Sequence, residues 1–228
     1  MNHRRTHVMA ALAIVLAAAC AGLEPYRGPV TSLDLAVCSP EGEFTLASTN
    51  PYFPLEVGRT WVLEGGGERV QITVLDETMV VAGVTTRVIE EREWDHGEMK
   101  EVSRNFFAQA ADGTVCYFGE DVEMYKDGEI VSRQGEWRAD APGSRPGIIM
   151  PANPAIGMHF AMEVSPGKAA DHGLVVAMGE PATVPAGTFQ ETIRVREIDP
   201  QDNEEEDKIF AAGVGFVTDE DMVLVSRR

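Results

Sequence analysis

The feature that most constrains this chain is a turn signal between two aromatic runs. Asp112-Gly113 is flanked by Phe106-Phe107 on one side and by Tyr117-Phe118 on the other. Glycine adopts positive φ without steric cost, so this dipeptide between strand-forming residues predicts a tight β-hairpin. Because aromatic side chains contribute strongly to cores, we expect this hairpin to be the centre of a sheet.

The rest of the chain beyond residue 50 repeats a strand-and-turn pattern. Short runs of β-branched and aromatic residues are each bounded by Gly or Asp turn signals, which is typical of an antiparallel all-β domain. Val70, Ile72 and Val74 alternate with polar residues, as in a half-buried strand. We predict a single curved antiparallel sheet, or half-barrel, of roughly 10–12 strands without a long helix.

A proline-rich segment from Asp140 to Gly157 interrupts this pattern. It contains four prolines and the apolar triplet Ile148, Ile149 and Met150. An exposed apolar triplet lowers solubility, so we expect an ordered loop that folds over an open end of the sheet. The loop either completes the core as a plug or covers a ligand cavity as a lid.

The N-terminus has the organisation of a signal peptide. A basic leader precedes an apolar run from Val8 to Ala19 that is too short to span a bilayer. Cys20 directly follows small residues, as in bacterial lipoproteins, although Ala17 stands where such signals usually carry Leu. We predict a signal peptide over residues 1–19, lipidation of Cys20 and, with Ala21 next, an outer-membrane lipoprotein facing the periplasm. A soluble periplasmic or secreted protein is the alternative.

The cysteine count agrees with export. Acylation of Cys20 would leave Cys38 and Cys116, which either pair in an oxidising compartment or remain buried free thiols. A bridge between them would close a long loop and stabilise the fold by about 3–4 kcal/mol on the chain-entropy model. It would also pin a lipid-anchored tether, residues 20–50, to the β domain, residues 51–228.

The charge of the chain excludes one class of partner. Lys and Arg number 19 against 37 Asp and Glu, and removal of Arg4 and Arg5 with the signal peptide leaves 17 against 37, a net charge near −20. Such a surface repels nucleic acid and anionic head groups, and it favours solubility or the binding of cations. We therefore expect no nucleic-acid partner.

Motifs for catalysis are missing from the sequence. It contains no nucleophile elbow, phosphate loop, zinc-protease helix or dinucleotide fingerprint, and we predict no cofactor. The weak candidates for a metal site are His159, Glu163, Asp171 and His172, since two imidazoles and two carboxylates suit zinc. Their spacing matches no established motif, so surface or structural roles are the alternative, and a metal-dependent hydrolase is the least favoured hypothesis.

Several stretches resemble a family of uncharacterised exported bacterial lipoproteins. The shared stretches are Asn105–Gln109, Gly113–Glu120, Pro146–Pro154, Pro166–Ala169, Val184–Phe189 and Phe210–Val217. The last two also look like those of the curved half-barrels that include the lipoprotein carriers LolA and LppX. The resemblance implies an envelope half-barrel, and it implies no reaction.

These observations favour a non-catalytic envelope lipoprotein that binds an apolar ligand or lipid in the concave face. The side chains expected to line the ligand are Phe106, Phe107, Tyr117, Phe118, Ile148, Ile149 and Met150. The alternative is a structural or assembly partner of another envelope protein, with a filled core. The membrane is the expected partner in both cases, through the lipid anchor.

Overall fold

The structure is a computed structural model that describes residues 25–201 and 204–228. The predicted signal peptide and Cys20 lie outside the described residues. A 3₁₀ helix spans Leu35–Cys38, and β-strands account for most of the remaining ordered backbone. The strands are β1 Thr31–Ser32, β2 Phe44–Thr45, β3 Thr60–Gly65, β4 Glu68–Val81, β5 Val84–Asp95, β6 Glu98–Ala110, β7 Val115–Lys126, β8 Glu129–Ser132, β9 Trp137–Arg138, β10 Gly147–Met150, β11 Met158–Ala161, β12 His172–Met178, β13 Ala182–Val184, β14 Gly187–Phe189, β15 Thr192–Asp199, β16 Glu204–Ala211, β17 Gly215–Asp219 and β18 Met222–Arg227.

One large sheet contains sixteen of these strands. Its hydrogen-bonded order is β1-β11-β12-β15-β16-β17-β18-β3-β4-β5-β6-β7-β10, with β2 on β6 and both β8 and β9 on β7. Strands β13 and β14 form a separate pair. The predicted all-β fold with a curved sheet is confirmed. The sheet has more strands than predicted because several two- to four-residue strands join its edges, and it is mixed because β1 runs parallel to β11.

The predicted central hairpin joins β6 to β7. The backbone N–H of Thr114 donates to the Asp112 carboxylate (2.8 Å), and that of Gly113 donates to the Ala110 carbonyl (3.0 Å). Gly113 has a backbone φ of 98°, a conformation that residues with a Cβ atom rarely adopt. On the flanking strands Phe107 lies opposite Tyr117, and the two rings stack with centroids 4.7 Å apart.

Phe53 occupies the centre of the core. Its ring centroid lies 5.0 Å from that of Phe107 on β6, 6.4 Å from Phe210 on β16 and 5.6 Å from Phe216 on β17. Strand β6 is far from β16 and β17 in the order of the sheet. Phe53 therefore joins two opposite walls of the curved sheet across its concave face.

Buried polar contacts hold the segment that carries Phe53. The side-chain oxygen of Gln109 accepts from the backbone N–H groups of Thr49 (2.6 Å) and Asn50 (3.1 Å). The Asn50 amide donates to the carbonyls of Gly113 (3.1 Å) and Pro151 (2.9 Å). Buried polar groups need such partners, so this network fixes the segment to both the central hairpin and the proline-rich loop.

The proline-rich loop is ordered, as predicted. Of the two alternatives, a plug that completes the core or a lid over a cavity, the structure shows the plug. Its strand β10 pairs with β7, and the side chains of Ile148 and Met150 are fully buried in the core. The N–H of Arg145 donates to the carbonyl of Val164 (3.0 Å), next to β11. A Cβ on Gly147 would lie only 2.0 Å from the Met162 carbonyl oxygen, so the two ends of the sheet approach closely here.

A disulfide joins Cys38 to Cys116, with the two Cα atoms 5.6 Å apart. It links the 3₁₀ helix to β7, and both cysteines are fully buried. Strands β1 and β2 also pair with the sheet on either side of this link. Residues 31–45, predicted as part of a tether, therefore lie against the β domain.

We expect that opening this disulfide lowers the free energy of unfolding by about 4 kcal/mol, because a loop of 78 residues regains freedom in the unfolded chain. Urea unfolding with and without reductant measures the loss. A Cys38→Ala/Cys116→Ala variant is the control, since its midpoint should not respond to reductant. An unchanged midpoint for the fully reduced wild type would contradict the expectation.

Candidate functional site in the acidic half of the concave face

The concave face changes from apolar to acidic along strand β5. Side chains two residues apart share a face of a strand, so Ile89, Glu91 and Glu93 point the same way. Glu91 lies opposite Ile72 of β4, which in turn lies opposite Trp61 of β3. Since Ile72 and Trp61 are buried core residues, this row places Glu91 on the inner face.

The opposite wall shows the same change on β16. Phe210 is in the core, and the next inward positions are Lys208 and Glu206. Lys208 lies opposite Asp219 of β17, and Glu206 lies opposite Glu197 of β15. The aromatic residues thus fill one half of the concave face, and charged residues line the other half.

We call this second half the acidic cleft. It consists of Lys208 together with Glu91, Glu93, Glu101, Glu120, Glu163, Asp171, Glu197, Glu206 and Asp219. Its mouth is an open space of about 440 Å³ between Glu93 and Trp94 on one side and Lys208 and Asp219 on the other. Solvent reaches these side chains, although protein atoms surround most of each one.

Lys208 is the cationic group of the acidic cleft. Its Nζ atom lies 3.1 Å from Glu197, 2.9 Å from Glu206 and 3.6 Å from Asp219, and its side chain is 21% exposed. Burial by itself would lower the pKa of Lys208. The three carboxylates outweigh that effect and hold the pKa well above its usual range, so Lys208 stays charged.

The carboxyl groups on the facing wall have raised pKa values. Burial raises the pKa of Glu91 to about 8; Glu93 and Asp219 add to the shift, and Lys208 opposes it. Burial, reinforced by Glu101, raises the pKa of Glu93 to about 7. These groups therefore exchange protons close to neutral pH.

The same cause acts deeper in the cleft. Burial raises the pKa of Glu163, and the neighbouring charges of Glu120 and Asp171 raise it further. Burial, with Glu197 and Asp199 nearby, raises the pKa of Asp171 to about 7. The chemistry that this set offers is proton uptake and release near neutral pH and, when ionised, attraction of cations.

The structure does not bring the four predicted aromatic residues onto one face. All four are buried core residues. Phe107 and Tyr117 face the concave side, whereas Phe106 faces the other side, where the Arg138 guanidinium lies 4.4 Å from its ring centroid. Phe118 packs edge-on against Phe44 of β2. Consecutive residues of a strand point to opposite faces, which separates each pair. All four are at most 5% exposed.

The residues of the predicted apolar triplet are buried to different degrees. Ile148 and Met150 are fully buried, and Ile149 is partly buried. A shallow groove of about 250 Å³ lies beside Ile148 and is lined also by Leu33 and Met158.

The four weak metal-ligand candidates lie on two faces. The rings of His159 and His172 stack in parallel, 5.0 Å apart, whereas Glu163 and Asp171 belong to the acidic cleft. Asp171 and His172 are consecutive at the start of a strand, so their side chains diverge. Within residues 25–201 and 204–228, no group of three or more ligand-type side chains is placed to hold a metal ion.

The three tryptophans divide between the core and the mouth of the cleft. Trp61 and Trp137 are 1% exposed and belong to the core, whereas Trp94 is partly exposed at the mouth of the cleft. The acidic cleft is not predicted from the sequence, because charged residues within a strand usually face solvent. The signal was the two-residue period that continues from Ile89 to Glu91 and Glu93.

Comparison with known proteins does not identify the chain: no family model, curated protein or solved structure matches it. In the described part of the chain, no helix has both the length and the apolar character needed to cross a membrane.

Replacing Lys208 by Met should destabilise the fold by about 2 kcal/mol near pH 8, because three carboxylates lose their cationic partner in a partly buried site. The loss should be smaller near pH 5, where protonation removes the repulsion between those carboxylates. Urea unfolding at both pH values measures the difference.

Lys100→Met is the matched control, since Lys100 is 43% exposed and makes surface ion pairs with Asp95 and Glu98. Its effect should stay within about 0.5 kcal/mol at both pH values. An equal loss at both pH values for Lys208→Met would contradict the role assigned to the carboxylates.

Proposed function

We propose that this protein is a non-catalytic lipoprotein of the cell envelope that acts as a structural or assembly partner with a filled core. The observation that carries the proposal is that the chain's own side chains occupy the apolar half of the concave face. Phe53 inserts between the walls, and Phe107 and Tyr117 stack beside it with 3% and 5% exposure. Core residues packed in this way present almost no surface to a ligand.

An apolar ligand has less support than a protein partner. Pockets for drug-sized ligands usually measure about 300–1,000 Å³ and are mostly apolar. The groove beside Ile148 is smaller, at about 250 Å³. A space of about 540 Å³ beside Met99 and Met124 is open and also carries charged side chains such as Lys126. The space of about 440 Å³ is lined by carboxylates. An acyl chain in that space would desolvate charged groups without giving them partners, which is unfavourable.

Export is supported by the disulfide. Disulfides persist in oxidising compartments such as the periplasm and are rare in the cytosol. The bond between Cys38 and Cys116 leaves Cys20 as the third cysteine of the chain, available for acylation behind the apolar run. The net charge also fits a protein that remains soluble on a tether and does not adhere to anionic head groups.

Native mass spectrometry of the protein purified from membranes tests the filled core. We expect the mass of the chain with its covalent anchor and no further lipid, and no uptake of a fluorescent fatty acid. A Phe107→Ala variant is the comparison, because it opens space in the core and can create a site for the probe. Stoichiometric lipid bound to the wild type would instead support the carrier hypothesis.

The anchor is tested by a Cys20→Ser variant. We expect the wild type to incorporate labelled palmitate and to sediment with membranes, and the variant to lose the label and appear in the soluble periplasmic fraction. A Cys38→Ser variant controls for a general effect of losing a cysteine and should keep the label. Equal labelling of wild type and Cys20→Ser would rule out this anchor.

A further inference from the structure

The acidic cleft brings carboxyl groups from two distant parts of the sheet face to face. Glu91 and Glu93 belong to β5, whereas Glu197 and Asp219 belong to β15 and β17. Strands β18, β3 and β4 separate these walls in the order of the sheet. Their proximity therefore depends on the curvature of the sheet, and any change in that curvature changes the distance between like charges.

The two walls differ in how many of their carboxyl groups pair with a basic side chain. Lys208 pairs with Glu197, Glu206 and Asp219 on its own wall. On the facing wall, the carboxyl groups of Glu91, Glu93 and Glu101 make no ion pair or side-chain hydrogen bond within the described part of the chain. The basic side chains at the mouth, Arg69 and Lys100, pair instead with Glu64 and with Asp95 and Glu98.

Other titratable groups reinforce this excess of acid. The wall formed by β4 to β7 also presents Glu68, Tyr117 and Glu120. The opposite wall and the segment before β12 also present Glu163, Asp171, Asp199 and Glu220. If all these carboxyl groups were ionised, the net repulsion across the cleft would oppose the observed curvature.

We propose that the acidic cleft is a pH-dependent closure: its two walls stay together while the facing carboxyl groups hold protons, and they separate as the protons are lost at higher pH.

The carboxyl groups at the mouth of the cleft share this tendency to hold protons. The neighbouring Glu206 carboxyl, followed by burial, raises the pKa of Glu220 to about 7. Burial acts in the same direction on Glu91 and Glu93, whose pKa values rise to about 8 and about 7.

The direction of the pH dependence follows from these shifts. Below the ordinary carboxyl pKa, near about 4.5, the protons are bound in the closed and open states alike. Between that value and about 8, only the closed cleft retains them, so a falling pH favours closure. The stabilisation of the closed form is lost as the pH rises through about 7 to 8.

Distance measurements between spin labels test the closure directly. Lys126→Cys and Glu204→Cys place labels at exposed positions near the ends of β7 and β16, on the two walls, in a Cys20→Ser background with the native disulfide intact. We expect a longer mean distance and a broader distribution at about pH 8.5 than at about pH 6. Identical distributions at both pH values would overturn the proposal.

A Glu91→Gln/Glu93→Gln variant distinguishes the cleft from other titrating groups. Its amides are neutral at every pH, so the distance between labels should stay short at both pH values. Glu123→Gln is the control, because Glu123 lies on the same wall but in an outer ion pair with Arg133. It should keep the wild-type response, and a double variant that also keeps it would overturn the proposal.

A second measurement does not depend on the labels. Carboxyl ¹³C NMR of glutamate-labelled protein should show several resonances that titrate above about pH 6.5 in the wild type, and two fewer of them in Glu91→Gln/Glu93→Gln. If every glutamate resonance titrates below about pH 5.5, no glutamate of the cleft changes its charge near neutral pH and the proposal fails. This inference does not depend on the proposed function, since both measurements use the isolated chain.

Discussion

The insertion of Phe53 between two walls of the sheet is the contact on which the rest of the structure depends. Its ring meets Phe107 on one wall and Phe210 and Phe216 on the other. A sheet with an apolar inner face must cover that face, and here it does so by curving around its own aromatic residues. The next inward positions along the same strands then have to face each other as well, and most of those positions are charged.

The two halves of the concave face therefore have opposite effects on stability. Aromatic packing and the disulfide stabilise one end, whereas crowded carboxyl groups destabilise the other unless they are paired or protonated. Lys208 pairs with three of them, and raised pKa values allow others to be neutral near pH 7. A local departure from the rule that acids face water often marks a functional position, because the cost must be offset elsewhere in the fold.

The filled aromatic half and the open acidic half also bear on what the protein can bind. A carrier of apolar ligands needs an apolar cavity. Ile148 and Met150 of the proline-rich loop are instead buried in the core, at the place where a ligand cavity was one of the two alternatives. The open half is polar, so a partner that contacts it meets carboxyl groups whose charge changes with pH. Both features agree with the proposed role as a structural or assembly partner with a filled core.

Local chemistry in the sequence was sufficient to predict several elements. Asp112-Gly113 predicted the central hairpin because turn geometry depends on adjacent residues, and the alternation of Val70, Ile72 and Val74 predicted a strand because the two-residue period is local. Cys38 and Cys116 were identified as possible partners because they are the two cysteines left for pairing if Cys20 is acylated. The structure shows that they form a disulfide and are not free thiols.

Only the tertiary structure decided which side chains meet across the concave face. Glu91 and Lys208 are far apart in the sequence and in the order of the sheet, and only the curvature around Phe53 brings their walls together. The same curvature determined that the proline-rich loop is a plug. The sequence by itself determined the main strands, their turns and the two-residue alternation along each strand. The distance between the walls, which sets burial and pKa, came from long-range packing.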